Sequence, residues 1–165
     1  MKNIILILLL ASPIFSIGQD NPGCYVKKYF LIIQSTPDYK AAFQTAQKAA
    51  KGLAIKLDLR GLIPSKDKFI GLSLPADTCA KYSEEEFGVK DDSPCYMARG
   101  RWDDGIYISI EYSTAYKEFR EGYFIVVVGS SGEKDLPLMA ALEKVKTKYP
   151  DAYIKISKVY MCCMH

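Results

Sequence analysis

Residues 123–160 read YFIVVVGSSGEKDLPLMAALEKVKTKYPDAYIKISKVY, and the prediction of the fold starts from them. The β-branched and aromatic run 123–128 predicts a buried strand, and the glycines and serines of 129–132 predict the turn that ends it. Asp135 can then cap a helix, in which apolar residues recur at i, i+3, i+4 and i+7. Residues 153–159 predict a second strand, so the stretch is a strand–helix–strand unit.

A similar unit lies near the start of the chain. Residues 25–35 (YVKKYFLIIQS) predict a strand, and the Thr-Pro-Asp sequence at 36–38 predicts the start of a helix with a hydroxyl cap. Gly52 is suited to end that helix, and the alternating residues 54–59 (AIKLDL) predict a half-buried strand. Two such units predict an α+β fold, a ferredoxin-like sandwich with strand order 4-1-3-2 and both helices on one face.

Residues 61–122 form an insertion between the two units. Within it, residues 76–87 predict a short helix followed by a loop, and the acidic run 83–86 is interpreted as a solvated turn. Residues 95–112, with Asp-Asp-Gly at 103–105, predict a β-hairpin. Because residues 124–128 are continuously apolar, we expect the insertion to cover the second face of the sheet.

Length and charge limit the classes of protein that the chain can represent. Its 165 residues suit one domain after a leader, which we place at 19–165. The formal net charge is +3, and no basic stripe is visible, so we expect no nucleic-acid partner.

The first eighteen residues predict a signal peptide. Lys2 precedes an apolar run, Pro13 interrupts it, and small residues stand at 16 and 18, ahead of Gln19. We therefore predict a secreted or periplasmic protein with no stable membrane insertion after cleavage. A retained membrane anchor is the alternative.

Export predicts an oxidising environment for the cysteines. In the predicted strand order the first and last strands are antiparallel neighbours, which places Cys24 beside the adjacent pair Cys162 and Cys163. Only one of that pair can face Cys24, and we assign Cys163. Cys79 and Cys95 bracket a turn-rich loop that a second disulfide would close. The odd number of cysteines leaves one unpaired, and reduced, buried thiols are the alternative.

Residues 123–130 (YFIVVVGS), the Ala/Leu-rich helix after them and residues 151–155 (DAYIK) resemble a repeat of the SPOR (sporulation-related repeat) domain. Residues 29–59 are similar in layout, so the resemblance covers 29–59 and 123–159. It implies two repeats in a ferredoxin-like sheet that binds peptidoglycan, typically glycan strands stripped of stem peptides. It assigns no individual binding residue.

Arginine and aromatic residues flank the predicted hairpin turn. Arg99, Arg101 and Trp102 precede it and Tyr107 follows it. Aromatic rings stack on ligands and guanidinium groups donate hydrogen bonds in a plane, so these residues predict contact with a sugar or a protein. The alternative places Trp102 at the rim of the core and makes the arginines its solvated neighbours.

Catalytic and metal chemistry has little basis in this sequence. His165 is the only histidine and the last residue, a poor place for an oriented general base. With Cys162 and Cys163 it offers only three metal ligands, and residues 129–132 lack the lysine of a phosphate-binding loop. We predict a non-catalytic exported protein, without cofactor or metal, that binds a cell-wall glycan or another extracellular polymer. The alternative is a secreted protein–protein interaction module with a structural role.

Overall fold

The computed structural model describes residues 22–162. The elements of regular structure are the strands β1 (Tyr25–Thr36), β2 (Ile63–Pro64), β3 (Leu72–Ser73), β4 (Gly105–Tyr112), β5 (Phe124–Ser131) and β6 (Tyr153–Tyr160), and the helices α1 (Tyr39–Leu53), α2 (Ala76–Phe87) and α3 (Leu136–Lys146). Short 3-10 turns occupy Pro22–Cys24 and Ser113–Ala115. Helix α2 includes the acidic run 83–86, so the prediction of a solvated turn there is wrong.

The four long strands form one sheet in the order β4-β5-β1-β6, and each neighbouring pair is antiparallel. The predicted α+β class is confirmed. If only the four long strands are numbered along the chain, their order in the sheet is 4-1-3-2, as predicted. The second strand of that count, however, is β4, which belongs to the insertion. The ferredoxin-like assignment, which gave that place to residues 54–59, stays a prediction.

Residues 54–59 are not a strand of the sheet. Their backbone pairs with it through one isolated parallel bridge, from Leu57 to Ile108 at the outer edge of β4. Left-handed backbone at Ala54 and Arg60, with φ of 52° and 56°, turns the chain at both ends of the segment. The alternating pattern therefore marks a segment that runs along a strand edge without extending the sheet.

Helix α1 follows β1 directly, and its ends differ from the prediction. The carboxylate of Asp38 caps it by accepting a hydrogen bond from the Lys40 amide at 2.9 Å, a role predicted for the hydroxyl of Thr36. The helix ends at Ala54, which adopts the left-handed conformation expected of Gly52.

One core fills the space between the sheet and the helices α1 and α3. The sheet contributes alternate apolar residues of three strands, and the helices contribute small residues that allow close approach. The buried members include Leu31, Ala42, Ala46, Ala49, Ile108, Ile110, Val126, Val128, Leu138, Ala141 and Val145. Alternation along β5 sends Ile125 and Val127 to the opposite face.

The insertion covers that opposite face, as expected from the apolar sequence of β5. Tyr116 and Phe119 pack there against Phe30 of β1, with the Phe30 and Tyr116 ring centroids 5.1 Å apart. Ile125 and Val127 lie beneath them and are buried. The sheet is therefore covered on both faces at its centre.

The predicted hairpin is wrong in its first arm. Residues 95–102 are irregular, and β4 pairs with β5 instead. Gly100 has a φ of +86°, and a Cβ there would lie 3.3 Å from the Phe30 ring. Residues 95–102 thus cross over the face of the sheet, close to Phe30. A strand of a hairpin would instead lie beside β4. The turn predicted at 129–132 is also wrong in part, because β5 continues to Ser131.

Two disulfides tie the chain together. The predicted Cys79–Cys95 bond is confirmed, with its Cα atoms 5.7 Å apart. The assignment of Cys163 to Cys24 is wrong, because Cys24 is bonded to Cys162. The Met161 amide donates a hydrogen bond to the Cys24 carbonyl at 2.7 Å, a register that sets the next residue against Cys24. Cys163 and His165 lie outside the described residues.

Two disulfides are typical of proteins that reside in oxidising compartments. Within residues 22–162, no helix has the length and apolar character needed to cross a bilayer. The predicted signal peptide, 1–18, lies outside the described part of the chain.

Candidate functional site

An aromatic groove of about 540 Å³ separates α2 from residues 91–102. Tyr82 and Phe87 project from α2, and Trp102 stands on the opposite side. All three side chains are exposed, and 66% of Trp102 is accessible to solvent. We call this cleft the Trp102 groove. Exposed aromatic rings gathered in a concave site are unusual in a protein with two well-filled cores, and they suit a ligand with apolar faces.

Charged groups stand at two levels of the groove. Glu86 and Asp91 belong to its lining and are exposed, so their carboxylates lie at the rim. Arg101 also lines the groove, but only 7% of it is accessible to solvent. Its guanidinium lies 4.6 Å from the centre of the Trp102 ring, which orients both side chains by a cation–π contact.

A smaller hollow of about 290 Å³ adjoins the groove. Trp102 and Met97 line both spaces, and Arg60 and Asp103 line the smaller one. Trp102 therefore stands between two adjoining hollows. This arrangement suits an extended ligand that passes over the indole ring.

The Cys79–Cys95 disulfide joins the two walls of the groove. Cys79 belongs to α2, and Cys95 lies within the opposite segment. Ser73 reinforces the junction, because its hydroxyl accepts a hydrogen bond from the Cys95 amide at 3.0 Å. The walls are thus fixed before a ligand arrives, and a fixed site loses less conformational entropy on binding.

Replacing both Cys79 and Cys95 by serine should lower the free energy of unfolding by about 3 kcal/mol, the value for closing a loop of this size. Amide hydrogen exchange in α2 should accelerate more than exchange in α1. The Cys24→Ser/Cys162→Ser variant is the control, because it leaves the groove walls joined. Equal acceleration of α1 and α2 in the Cys79/Cys95 variant would contradict a local role for this bond.

A buried arginine, Arg99, holds the insertion against the sheet behind the groove. Its side chain has no solvent-accessible surface. The guanidinium donates hydrogen bonds to the carbonyls of Tyr107 at 2.9 Å and Gly105 at 2.8 Å, and to the Ser130 hydroxyl at 3.1 Å. It also stacks 3.5 Å from the centre of the Tyr107 ring. These contacts join residues 95–104 to β4 and β5.

A buried carboxylate, Glu111, forms the second centre of this polar network. Its Oε2 atom accepts hydrogen bonds from Arg60 at 3.0 Å, from the Tyr96 hydroxyl at 2.7 Å and from the Tyr116 hydroxyl at 3.1 Å. Arg60 also pairs with Asp103 at 2.9 Å. The two carboxylates and the charges of Arg60 and Arg99 balance one another, so the network is suited to a structural role.

The network shifts the pKa of its members. Burial, and then the Glu111 charge, raise the pKa of Tyr96 and Tyr116 well above the usual value. Burial also raises the pKa of Tyr107. For Asp103, burial would raise the pKa, but the Tyr107 hydrogen bond and the Arg60 charge together outweigh it and lower that pKa. The carboxylate of Asp103 is therefore ionised at neutral pH, while the phenols stay protonated.

Stability should fall as the pH rises above about 10, where tyrosine in an unfolded chain ionises. In the folded protein the pKa values of Tyr96, Tyr107 and Tyr116 lie higher. Their contribution is complete below pH 10 and is lost as the pH rises toward the folded pKa values. Phenolate absorbance near 295 nm and far-ultraviolet circular dichroism, recorded together, should show a late group of tyrosines that ionise only as the sheet unfolds. Complete tyrosine ionisation with native dichroism would contradict this expectation.

The four residues predicted as ligand contacts divide into two pairs. Arg101 and Trp102 line the groove, whereas Arg99 and Tyr107 lie behind it in the buried network. The α2 side of the groove was not predicted from the sequence. The signal for it was the pair Tyr82 and Phe87, large rings in a helix that is otherwise mostly polar.

No family model, curated protein or solved structure matches this chain. The resemblance to the SPOR domain stays a prediction.

Proposed function

We propose that the protein is an exported, non-catalytic protein that binds an extracellular polymer, with a cell-wall glycan as the first choice, through the Trp102 groove. The observation that carries the proposal is the exposed Trp102 ring between two adjoining hollows. The C–H face of a sugar ring packs on an indole, and its hydroxyl groups donate hydrogen bonds to carboxylates such as those of Glu86 and Asp91.

The proposal assigns the ligand to the groove and not to the sheet. Tyr116 and Phe119 occupy the sheet face opposite the helices, over Phe30. A polymer strand could reach that face only by displacing them. The groove is open already, and the adjoining hollow leaves space for more than one sugar unit.

Replacing Trp102 by alanine should weaken binding to purified peptidoglycan and to glycan oligomers at least tenfold, because the stacking surface is lost. The melting temperature of the Trp102→Ala variant should stay near that of the wild type, since the Trp102 ring is largely exposed. Leu136→Ala is the matched control, because Leu136 is 85% exposed and lies on α3, outside the groove. The proposal would be overturned if purified peptidoglycan and the glycan oligomers retain the wild-type protein no better than they retain an inert control protein.

A protein partner is the second candidate, and the edge strand β6 favours it. β6 ends the sheet, and Tyr153 and Ile156 on it are exposed. The edge of a sheet can accept a strand from another chain. Glu118 already accepts a hydrogen bond from the Lys158 amide at 2.7 Å, so a partner strand would pair with the first half of β6. Light scattering tests this candidate. A protein that stays monomeric, and to which no other chain binds through β6, would count against it.

A further inference from the structure

Arg101 differs from Arg99, which is also buried, and from Arg60, which is partly buried. Arg60 pairs with two carboxylates, and the Arg99 guanidinium donates to five neutral acceptors. Only 7% of Arg101 is accessible to solvent. Nevertheless, no carboxylate of residues 22–162 lies within ion-pair distance of its guanidinium. Its Nη2 atom donates to the Cys162 carbonyl at 2.5 Å, and its Nε atom, like that of Arg60, has no acceptor within residues 22–162.

A buried cation of this kind is unfavourable unless an anion or several acceptors approach it. Arg101 lines the Trp102 groove, so a bound ligand can provide the missing anion. The side chain is also held in place for that contact. Trp102 covers its guanidinium, and the Cys24–Cys162 disulfide fixes the carbonyl to which it donates.

We infer that the groove selects glycans that carry carboxylates, such as polymers of uronic acids, and that Arg101 pairs with the carboxylate of the sugar that stacks on Trp102. This inference rests on the proposed function and names the ligand class of the same site. A guanidinium fork matches a carboxylate in shape and donates two parallel hydrogen bonds to it.

The acidic rim sharpens this selection. Glu86 and Asp91 are exposed, so water and salt screen their repulsion, whereas the pairing with Arg101 occurs where water is largely excluded. A uronic acid that reaches Arg101 gains more than it loses at the rim. A polyanion that cannot place a carboxylate beside Arg101 meets only the repulsion of the rim.

The test compares matched ligands on the intact protein. Oligomers of galacturonate and of mannuronate are titrated by calorimetry, each with its carboxylates free and with the same carboxylates methyl-esterified. The wild type should bind the free acids at least tenfold more tightly than the neutral esters. The difference should largely persist as sodium chloride is raised from roughly 50 to 500 mM, because a charge pair from which water is largely excluded is screened little by salt.

Two variants locate the effect. In Arg101→Gln the preference for the free acid should fall to about twofold or less, while Trp102→Ala should weaken both forms together. If Arg101→Gln does not fold, the wild-type comparison alone still decides. Equal binding of acid and ester by the wild type would overturn this inference and leave the proposed function standing. Failure of the wild type to bind any acidic or neutral glycan, peptidoglycan included, would overturn the proposed function and this inference with it.

Discussion

Replacing Glu111 by glutamine should lower the free energy of unfolding by about 3–5 kcal/mol, the range for removing one partner of a buried ion pair. The Glu111 Oε2 atom accepts hydrogen bonds from Arg60, Tyr96 and Tyr116. Glutamine keeps the shape of the side chain but removes its charge, which leaves Arg60 paired with Asp103 alone. Because domains are stable by roughly 5–15 kcal/mol, the loss would remove a large share of the total.

Urea unfolding followed by circular dichroism at neutral pH measures the effect of Glu111→Gln. Glu121→Gln is the matched control, because it makes the same chemical change at an exposed position and should shift stability by less than about 0.5 kcal/mol. A melting temperature roughly 10 °C below that of the wild type would agree with the predicted loss. Identical unfolding curves for the two variants would show that the Glu111 charge is not needed by the fold.

Replacing Arg99 by methionine should lower the free energy of unfolding by about 4 kcal/mol. The carbonyls of Gly105 and Tyr107 lose a buried donor, and each unsatisfied buried polar group costs about 1–3 kcal/mol. Arg99→Lys should recover little of this loss, because an ammonium group cannot reach the acceptors that the planar guanidinium serves. Arg120→Met, at an exposed arginine, is the control and should leave the unfolding midpoint within experimental error.

The same Arg99 variant tests the division of roles among the arginines. Arg99 does not line the Trp102 groove, so folded Arg99→Met protein should bind glycan with the affinity of the wild type. Binding lost in proportion to the unfolded fraction would agree with a structural role for Arg99. If the folded variant loses glycan binding, Arg99 would instead contact the ligand, as predicted from the sequence.

Local chemistry explains which elements were predicted correctly. α1 and α3 combine an apolar periodicity with a cap residue, and β1 combines a continuous apolar run with a helix start after it, so neighbours in sequence determine all three. Residues 54–59 and 95–102 have strand-like patterns, yet neither is a strand of the sheet. Residues 54–59 lie along the edge of β4 and make one bridge to it. Residues 95–102 cross the sheet face, where they have no strand to pair with.

The candidate site was half predictable for the same reason. Trp102 and Arg101 are neighbours in sequence and in the groove, whereas Tyr82 and Phe87 lie on α2, which a disulfide joins to the segment that carries them. Nothing in the sequence distinguishes the buried Arg99 from the groove residue Arg101, two positions apart. Their environments differ because irregular backbone, with Gly100 between them at positive φ, sends the two side chains to different partners.

The sequence by itself determined the α+β class, the helices α1 and α3, the start of α2, and the Cys79–Cys95 bond. Those features depend on periodicity, capping and the distance between residues along the chain. Only the tertiary structure decided which strand completes the sheet, that Cys162 and not Cys163 meets Cys24, and which aromatic and charged side chains share the groove. Such choices depend on contacts between residues distant in sequence, and their energies exist only once the chain has folded.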